Sequence, residues 1–276
     1  MGRTLYISQT SKPVIFRDGP SIWVQEEGNA GRRIPARLVG RVIIIGNVKL
    51  DSGTITLFAE NNTPITFMNN RTDETAVVIP YNHRLPDHYK EQKIFLSSKE
   101  NIEHFERWAG TKRACLQMNL LRRFLPKLMP RFETIGFGEG NYQEILKTLR
   151  KVSEQEWIAV NSIITNIFRN VIVEHLLKSG LDPHLGVIHR RHNFGLALDV
   201  CYIMGGLSDL QTLQFFNTYR VKNLISKDRA HWFVTDKGMR SIIHRFENRR
   251  AAVQGRVENI LDELFDLIRE MQTHEG

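Results

Sequence analysis

The stretch from Gly180 to Asp199 reads Gly-Leu-Asp-Pro-His-Leu-Gly-Val-Ile-His-Arg-Arg-His-Asn-Phe-Gly-Leu-Ala-Leu-Asp, and it sets an imidazole and a carboxylate at the two ends of a turn-rich segment. His189 and Asp199 are ten positions apart; along one straight helix that is about 15 Å, too far to share an ion. Asn193-Phe194-Gly195 interrupts the path, because Asn and Gly both accept left-handed turn conformations. The chain can then double back and bring the two side chains together. Carboxylate oxygens suit Mg²⁺ or Mn²⁺, and Mn²⁺ also accepts imidazole. The adjacent Arg190-Arg191 pair suits a phosphate. A metal beside a phosphate is the chemistry of cutting or joining nucleic acid.

A third ligand has to come from elsewhere, and Glu139 is the best candidate. It lies among glycines in Gly136-Phe-Gly-Glu-Gly-Asn-Tyr, just before a helix expected to begin near Asn141. Read alone, this glutamate equally suits the positive end of that helix.

The positioning elements follow from the periodicity. The first eighty or so residues read as strands: Thr4–Ile7, Val14–Arg17, Ser21–Glu26, Arg41–Gly46 and Ile65–Met68 are short, β-branched or aromatic, and punctuated by Gly, Asp and Asn. Ser52–Asn61 is expected to be a short helix because Asp51-Ser52 offers a cap. From about Glu91 the period lengthens. Trp157, Val160, Ile163, Ile164, Ile167, Phe168, Val171, Ile172 and Leu176 follow helical spacing until Gly180 stops them, and one last long helix is expected to carry Ile242 through Ile268. Strands followed by helices predict an α+β chain: a small β-rich N-terminal domain over 1–82 and a larger all-α domain over 83–276 that holds the chemistry. Tyr81–Asp87 is the expected linker.

The formal net charge is +8 over 276 residues, with a pI of about 9.6. A surplus of this sign favours a polyanionic partner. Arg122, Arg123, Lys127 and Arg131 precede Glu139, Lys147, Arg150 and Lys151 follow it, and Arg240, Arg245, Arg249, Arg250 and Arg256 stud the final helical stretch. Cys115 and Cys201 form neither a disulfide framework nor a zinc motif, and no apolar run is long enough to span a membrane or serve as a signal peptide. A reducing, cytoplasmic setting is expected.

Together these segments resemble the CRISPR-associated spacer-acquisition integrases, a family that includes metal-dependent endonucleases. The family's "GLDP–G–LH" hallmark is matched from Gly180 to His189, its "LALD" by Leu196–Asp199, and the asparagine that opens its preceding helix by Val160-Asn161. Glu139-Gly-Asn-Tyr142 is similar to a shortened form of its glutamate box, and Val234–Arg249 to its C-terminal "LT..G...LI..YE.RL" pattern. The resemblance implies that Glu139, His189 and Asp199 hold one Mg²⁺ or Mn²⁺ and catalyse attack on a phosphodiester by a protospacer 3′-hydroxyl or by water. The basic clusters flanking that centre give Arg122, Arg123, Arg190, Arg191, Arg245 and Arg249 as the expected contacts to double-stranded DNA, protospacer and repeat. The resemblance further implies a homodimer through the β-rich domain and a small ferredoxin-like partner. Two departures stand out. Three residues after Asp199 the family places a second acidic residue, and here that position is Tyr202; Asp199 itself could take over as the ligand, Asp209 could fold back, or metal binding could be weak or lost. The stretch after it is also replaced, by Met204-Gly-Gly-Leu-Ser-Asp. A transposon-encoded integrase of the same fold, and a DNA-binding scaffold without catalysis, are the alternative readings.

Overall fold

The computed structural model describes residues 3–69, 75–80, 85–130, 132, 137–217, 223–228 and 231–272. Residues 81–84 of the expected linker, Gly136 of the glutamate segment and Arg131 of the basic cluster lie outside them. The chain divides into two compact units, Met1–Arg84 with Ser226–Asp236, and Leu85–Ile225 with Lys237–Gly276. It is an α+β protein, strands first and helices after.

In the first unit, β1 (Arg3–Ser8), β5 (Val39–Ile45), β6 (Ile65–Met68) and β7 (Thr75–Val78) form one sheet in the order β1-β5-β6-β7. β5 is parallel to both neighbours, with Ile43 opposite Tyr6 on one side and Thr66 on the other. Its continuous run Val42-Ile-Ile-Ile45 is buried on both faces, as an interior parallel strand requires. β2 (Val14–Asp18), β3 (Ser21–Gln25) and β4 (Arg32–Pro35) form an antiparallel meander. Helix α1 (Ser52–Glu60) starts at Asp51, whose Oδ1 accepts from the Thr54 amide at 2.8 Å. Leu5, Ile22, Val42, Ile44, Leu57, Phe58 and Ile65 are among the residues that build the core of this unit. A two-stranded hairpin, β8 (Ile225–Asp228) with β9 (His231–Val234), falls among the helices in sequence but its residues 226–234 group with this unit, so the region after residue 83 is not wholly helical.

The second unit contains α2 (Tyr89–Ser97), α3 (Lys99–Phe124), α4 (Glu139–Leu149), α5 (Glu154–Lys178), α6 (Gly195–Ile203), α7 (Gly205–Phe216), α8 (Asp236–Glu247) and α9 (Arg250–Gln272). The α5 helix starts earlier than Val160-Asn161: Ser153 and Glu156 exchange side-chain-to-amide hydrogen bonds of 3.3 and 2.8 Å, a capping box. It buries Val160, Ile163, Ile164, Ile167, Phe168, Val171 and Ile172, and packs against α6, α7 and α9. It ends where Gly180 turns left-handed at φ +68°. There the Leu181 amide reaches Leu176 O and the Gly180 amide reaches Leu177 O, satisfying the last carbonyls. The expected single C-terminal helix is two, because the chain turns at Asn248 and Arg249 between α8 and α9.

The segment between α5 and α6 is a compact double turn. Its left-handed residue is Phe194, at φ +59°, and not Asn193 or Gly195. A bulky residue adopts this conformation at a cost; here the Phe194 amide donates to His184 Nδ1 at 3.1 Å and the two rings lie 4.3 Å apart. Pro183 O accepts the first amides of α6 from Leu196 and Ala197. Gly186 and Gly195 cross backbone to backbone, and a methyl group on Gly195 would stand 2.6 Å from His189 O. Gly195→Ala is therefore expected to lower unfolding free energy by about 1–3 kcal/mol in denaturant titration; an unchanged midpoint would show that the turn is loosely packed.

Candidate functional site

The double turn brings His189 and Asp199 together. Asp199, in the second turn of α6, has a fully buried side chain. Its Oδ2 accepts from the Val187 and Ile188 amides at 2.6 and 3.2 Å, and its Oδ1 accepts from the His189 amide at 2.9 Å and His189 Nδ1 at 2.7 Å. Four bonds use up the acceptor directions of a carboxylate. Asp199 thus sets the ring: Nδ1 carries the proton and Nε2 faces away, on a side chain 30% exposed. Asp199 orients both the ring and the turn, and its four hydrogen bonds engage both carboxylate oxygens.

Glu139 is the first residue of α4 and is equally occupied. Arg113, in the middle of α3, grips it with both prongs, Nε to Oε2 at 3.0 Å and Nη2 to Oε1 at 2.9 Å. Gln117, one helical turn further along α3, and Gln143, one turn along α4, each donate at 2.8 Å. The Arg113 hydrogen bonds are the main reason that the Glu139 carboxyl is held down at about 2; the two glutamines assist and partial burial opposes.

Tyr202 completes the cluster. The Arg113 guanidinium lies over its ring, 4.4 Å from the centroid, and donates to its backbone carbonyl at 2.5 Å. The tyrosine ring also approaches His189, with ring centroids 6.5 Å apart. Asp209 does not fold back to replace the missing acid. It accepts from Tyr142 Oη at 2.7 Å and from Asn161 Nδ2 at 3.2 Å, inside the helical core, where burial pushes its carboxyl up.

The remaining candidates do not share one cluster. Arg190 Nε donates to Val187 O at 2.8 Å and braces the turn, while Arg191 is exposed. Arg122 and Arg123 are exposed at the end of α3. Arg245 and Arg249 line a cavity of about 280 Å³ with Gln211, Gln214 and Asn248. Burial, then the charges of Arg123 and Arg245, press the Arg249 guanidinium below its usual range. The charges of Arg123 and Arg245 thus act on Arg249 beside this cavity. Arg113, Gln117 and Gln143 escaped sequence reasoning; the only trace is the one-turn spacing of Arg113 and Gln117, a weak signal within a polar helix.

The family model of CRISPR associated protein Cas1 matches residues 5–156. The chain belongs to the Cas1 family. This is a nuclease and integrase family of CRISPR adaptation. A Cas1 protein from Thermotoga maritima shares the fold at a TM-score of 0.76 and 15% identity, over 95% of this chain and 97% of that one. A casposase bound to an integration product gives 0.71 and 14%, over 90% and 82%; a TtCas1–DNA complex gives 0.60 and 12%, over 97% and 92%. No curated protein sequence matches the chain. Among the described residues no helix is long and apolar enough to cross a membrane.

The residues present do not fit the divalent ion expected for this family. Among the described residues no group of three or more His, Cys, Asp or Glu side chains is placed to hold a metal. Both Glu139 oxygens are taken, both Asp199 oxygens are taken, and Tyr202 brings no charge. His189 Nε2 remains as a donor atom, with the His192 ring centroid 5.7 Å from its own, and imidazole without a free carboxylate is a poor site for Mg²⁺.

The lowered Glu139 carboxyl makes a testable contribution. Folding stability from the Arg113–Glu139 pair is present in full above the ordinary carboxylate value of 4.5 and is lost as pH falls toward about 2. In acid titrations of thermal stability, Glu139→Gln should flatten this limb. An identical acid limb in the variant would mean that the pair contributes nothing.

Proposed function

We propose that this chain serves CRISPR adaptation as a DNA-binding Cas1 subunit, which holds duplex DNA by its phosphate backbone and does not itself supply metal-assisted strand joining. The observation that carries this reading is the pairing of a cavity lined by Arg245 and Arg249 with a family centre whose carboxylate oxygens already accept hydrogen bonds. Gln211 and Gln214 of α7, Arg245 of α8 and the following Asn248 and Arg249 line the cavity, and Gln214 Oε1 accepts from Arg249 Nη1. The net charge of +8 favours approach to DNA at long range. Contacts of this kind grip phosphate and read little base sequence. The solved TtCas1–DNA complex, which shares the fold, supports DNA as the ligand. A homodimer through the β-rich unit and a small ferredoxin-like partner belong to the same proposal.

Binding of a labelled duplex, followed by fluorescence anisotropy across a salt series, tests this. Affinity should fall steeply with salt, and Arg249→Ala should weaken binding on every sequence while reducing the slope of log K against log salt by about one. Affinity indifferent to salt would remove the phosphate-backbone reading.

One observation favours the second reading, a metal-dependent integrase or endonuclease using Glu139, His189 and Asp199 with Mg²⁺ or Mn²⁺: His189 is still held by Asp199 with Nε2 presented outward. Incubation with a duplex bearing 3′ overhangs and a supercoiled target separates the two. No joined product is expected with Mn²⁺; a joined product that disappears in His189→Ala would establish the integrase instead.

A further inference from the structure

Arg113, Tyr202 and Gly205 meet at one point of the helical unit, and the last two lie where the chain departs from the family pattern. Arg113 brings a guanidinium whose side chain is only 14% exposed. Tyr202 brings a ring face and a backbone carbonyl to that guanidinium, where the family pattern has an acid. Gly205, the first residue of α7, supplies space: a methyl group there would collide with Arg113 Nη1. Next to it, Gly206 lets α7 lie against the α3 backbone, since its own methyl group would be 3.0 Å from the Gln117 amide nitrogen. The Gly-Gly pair that replaces the family's segment after the aspartate is therefore what seats α3 and its arginine.

The result is a complete coordination of a cation by protein groups. Glu139 supplies two anionic oxygens, Tyr202 a carbonyl oxygen and a negative ring face, and the planar fork of arginine matches the first of these geometrically. A divalent ion arriving at Glu139 would have to displace a two-pronged ion pair, strip two glutamine hydrogen bonds and stand beside a fixed positive charge. In return it would meet a phenol in place of a carboxylate. Every one of these changes disfavours the ion.

We propose that Arg113 is the resident cation of this centre, its guanidinium standing where a divalent ion would stand beside Glu139, with Tyr202 and Gly205 as the residues that make room for it. The centre is thereby held together by a covalently attached charge and takes up neither Mg²⁺ nor Mn²⁺. This rests on the reading of the chain as a DNA-binding Cas1 subunit and explains how such a subunit keeps the fold around Glu139 without a metal.

The test is Mn²⁺ binding by the full chain, followed by loss of the free-ion EPR signal and by calorimetry. The wild-type protein should show no saturable site that depends on His189. Arg113→Met combined with Tyr202→Asp should create one, at least about tenfold tighter than any wild-type binding and lost again when His189→Ala is added. The proposal is overturned if the wild-type chain binds Mn²⁺ in a way that His189→Ala abolishes, or if the folded double variant gains no such site. Should the double variant not fold, the native protein still decides. The Arg113 Nε–H resonance, assigned with Arg113→Lys, should stay sharp when Mn²⁺ is added, and selective broadening of that signal and of the His189 ring would overturn the proposal. DNA affinity is read separately, so loss of duplex binding would sink the functional reading and leave the result on Arg113 standing.

Discussion

The ion pair between Arg113 and Glu139 ties together the parts of the helical unit that matter for its chemistry. Arg113 projects from the middle of α3, Glu139 opens α4, and the third partner, Tyr202, lies near the end of α6. A bidentate pair of this kind fixes orientation as well as distance, because the guanidinium plane must lie in line with the carboxylate. Once that plane is set, its face is available to the tyrosine ring and its last nitrogen to a carbonyl. The surrounding residues are adapted to it: two glutamines complete the acceptors of Glu139, and a glycine clears the approach. Removing any one partner leaves the others with polar atoms turned toward an empty place, which is why the cluster acts as a unit.

The second constraint is Asp199, and it works on a different scale. Three consecutive amides, those of residues 187 to 189, point at one carboxylate, so the double turn closes around a buried negative charge. Burial of an anion is tolerated because every acceptor direction is filled. The same charge holds His189 in one tautomer. The two carboxylates of the site are thus used in opposite ways: Asp199 organises backbone from inside, whereas Glu139 neutralises an arginine at the edge of the core. Neither is a free ligand, though both occupy the positions at which the sequence pattern expects one.

Much of this architecture was legible beforehand, where a local cause decides it. The helix after Asp51 follows from its cap, the stop at Gly180 from the left-handed turn that glycine accepts, and β5 from an apolar run with glycines on both sides. The break between α8 and α9 was hidden because Ile242, Ile243, Phe246, Val253 and Val257 keep a helical period straight through the turn. Phe194 took the left-handed position that its neighbours seemed built for, since His184 compensates it from ten residues away. The pairing of His189 with Asp199 could be anticipated from two turns, but not the three amides that saturate the carboxylate, which depend on the path of the turn itself. Arg113 was invisible for a simpler reason. Its partner is 26 positions along the chain, and nothing in the polar stretch around it distinguishes a buried cation from a solvated one.

A cation held by a covalent tether differs from a bound ion in ways that bear on the whole molecule. It cannot be diluted away, chelated or exchanged, so the charge balance around Glu139 does not vary with the ionic surroundings. It also carries a single charge spread over a plane, fully paired, and offers no open direction toward a scissile phosphate. The arginines at the α7–α8 cavity behave in the reverse manner. Burial and the nearby charges of Arg123 and Arg245 press the Arg249 guanidinium below its usual range, beside a cavity lined by polar side chains. The chain thus separates two jobs that a single metal ion can combine. On the proposed reading, cohesion of the central cluster belongs to Arg113 and attraction for phosphate to a distinct set of arginines near the end of α8. Such a division keeps affinity for a polyanion while the centre around Glu139 stays neutral and closed.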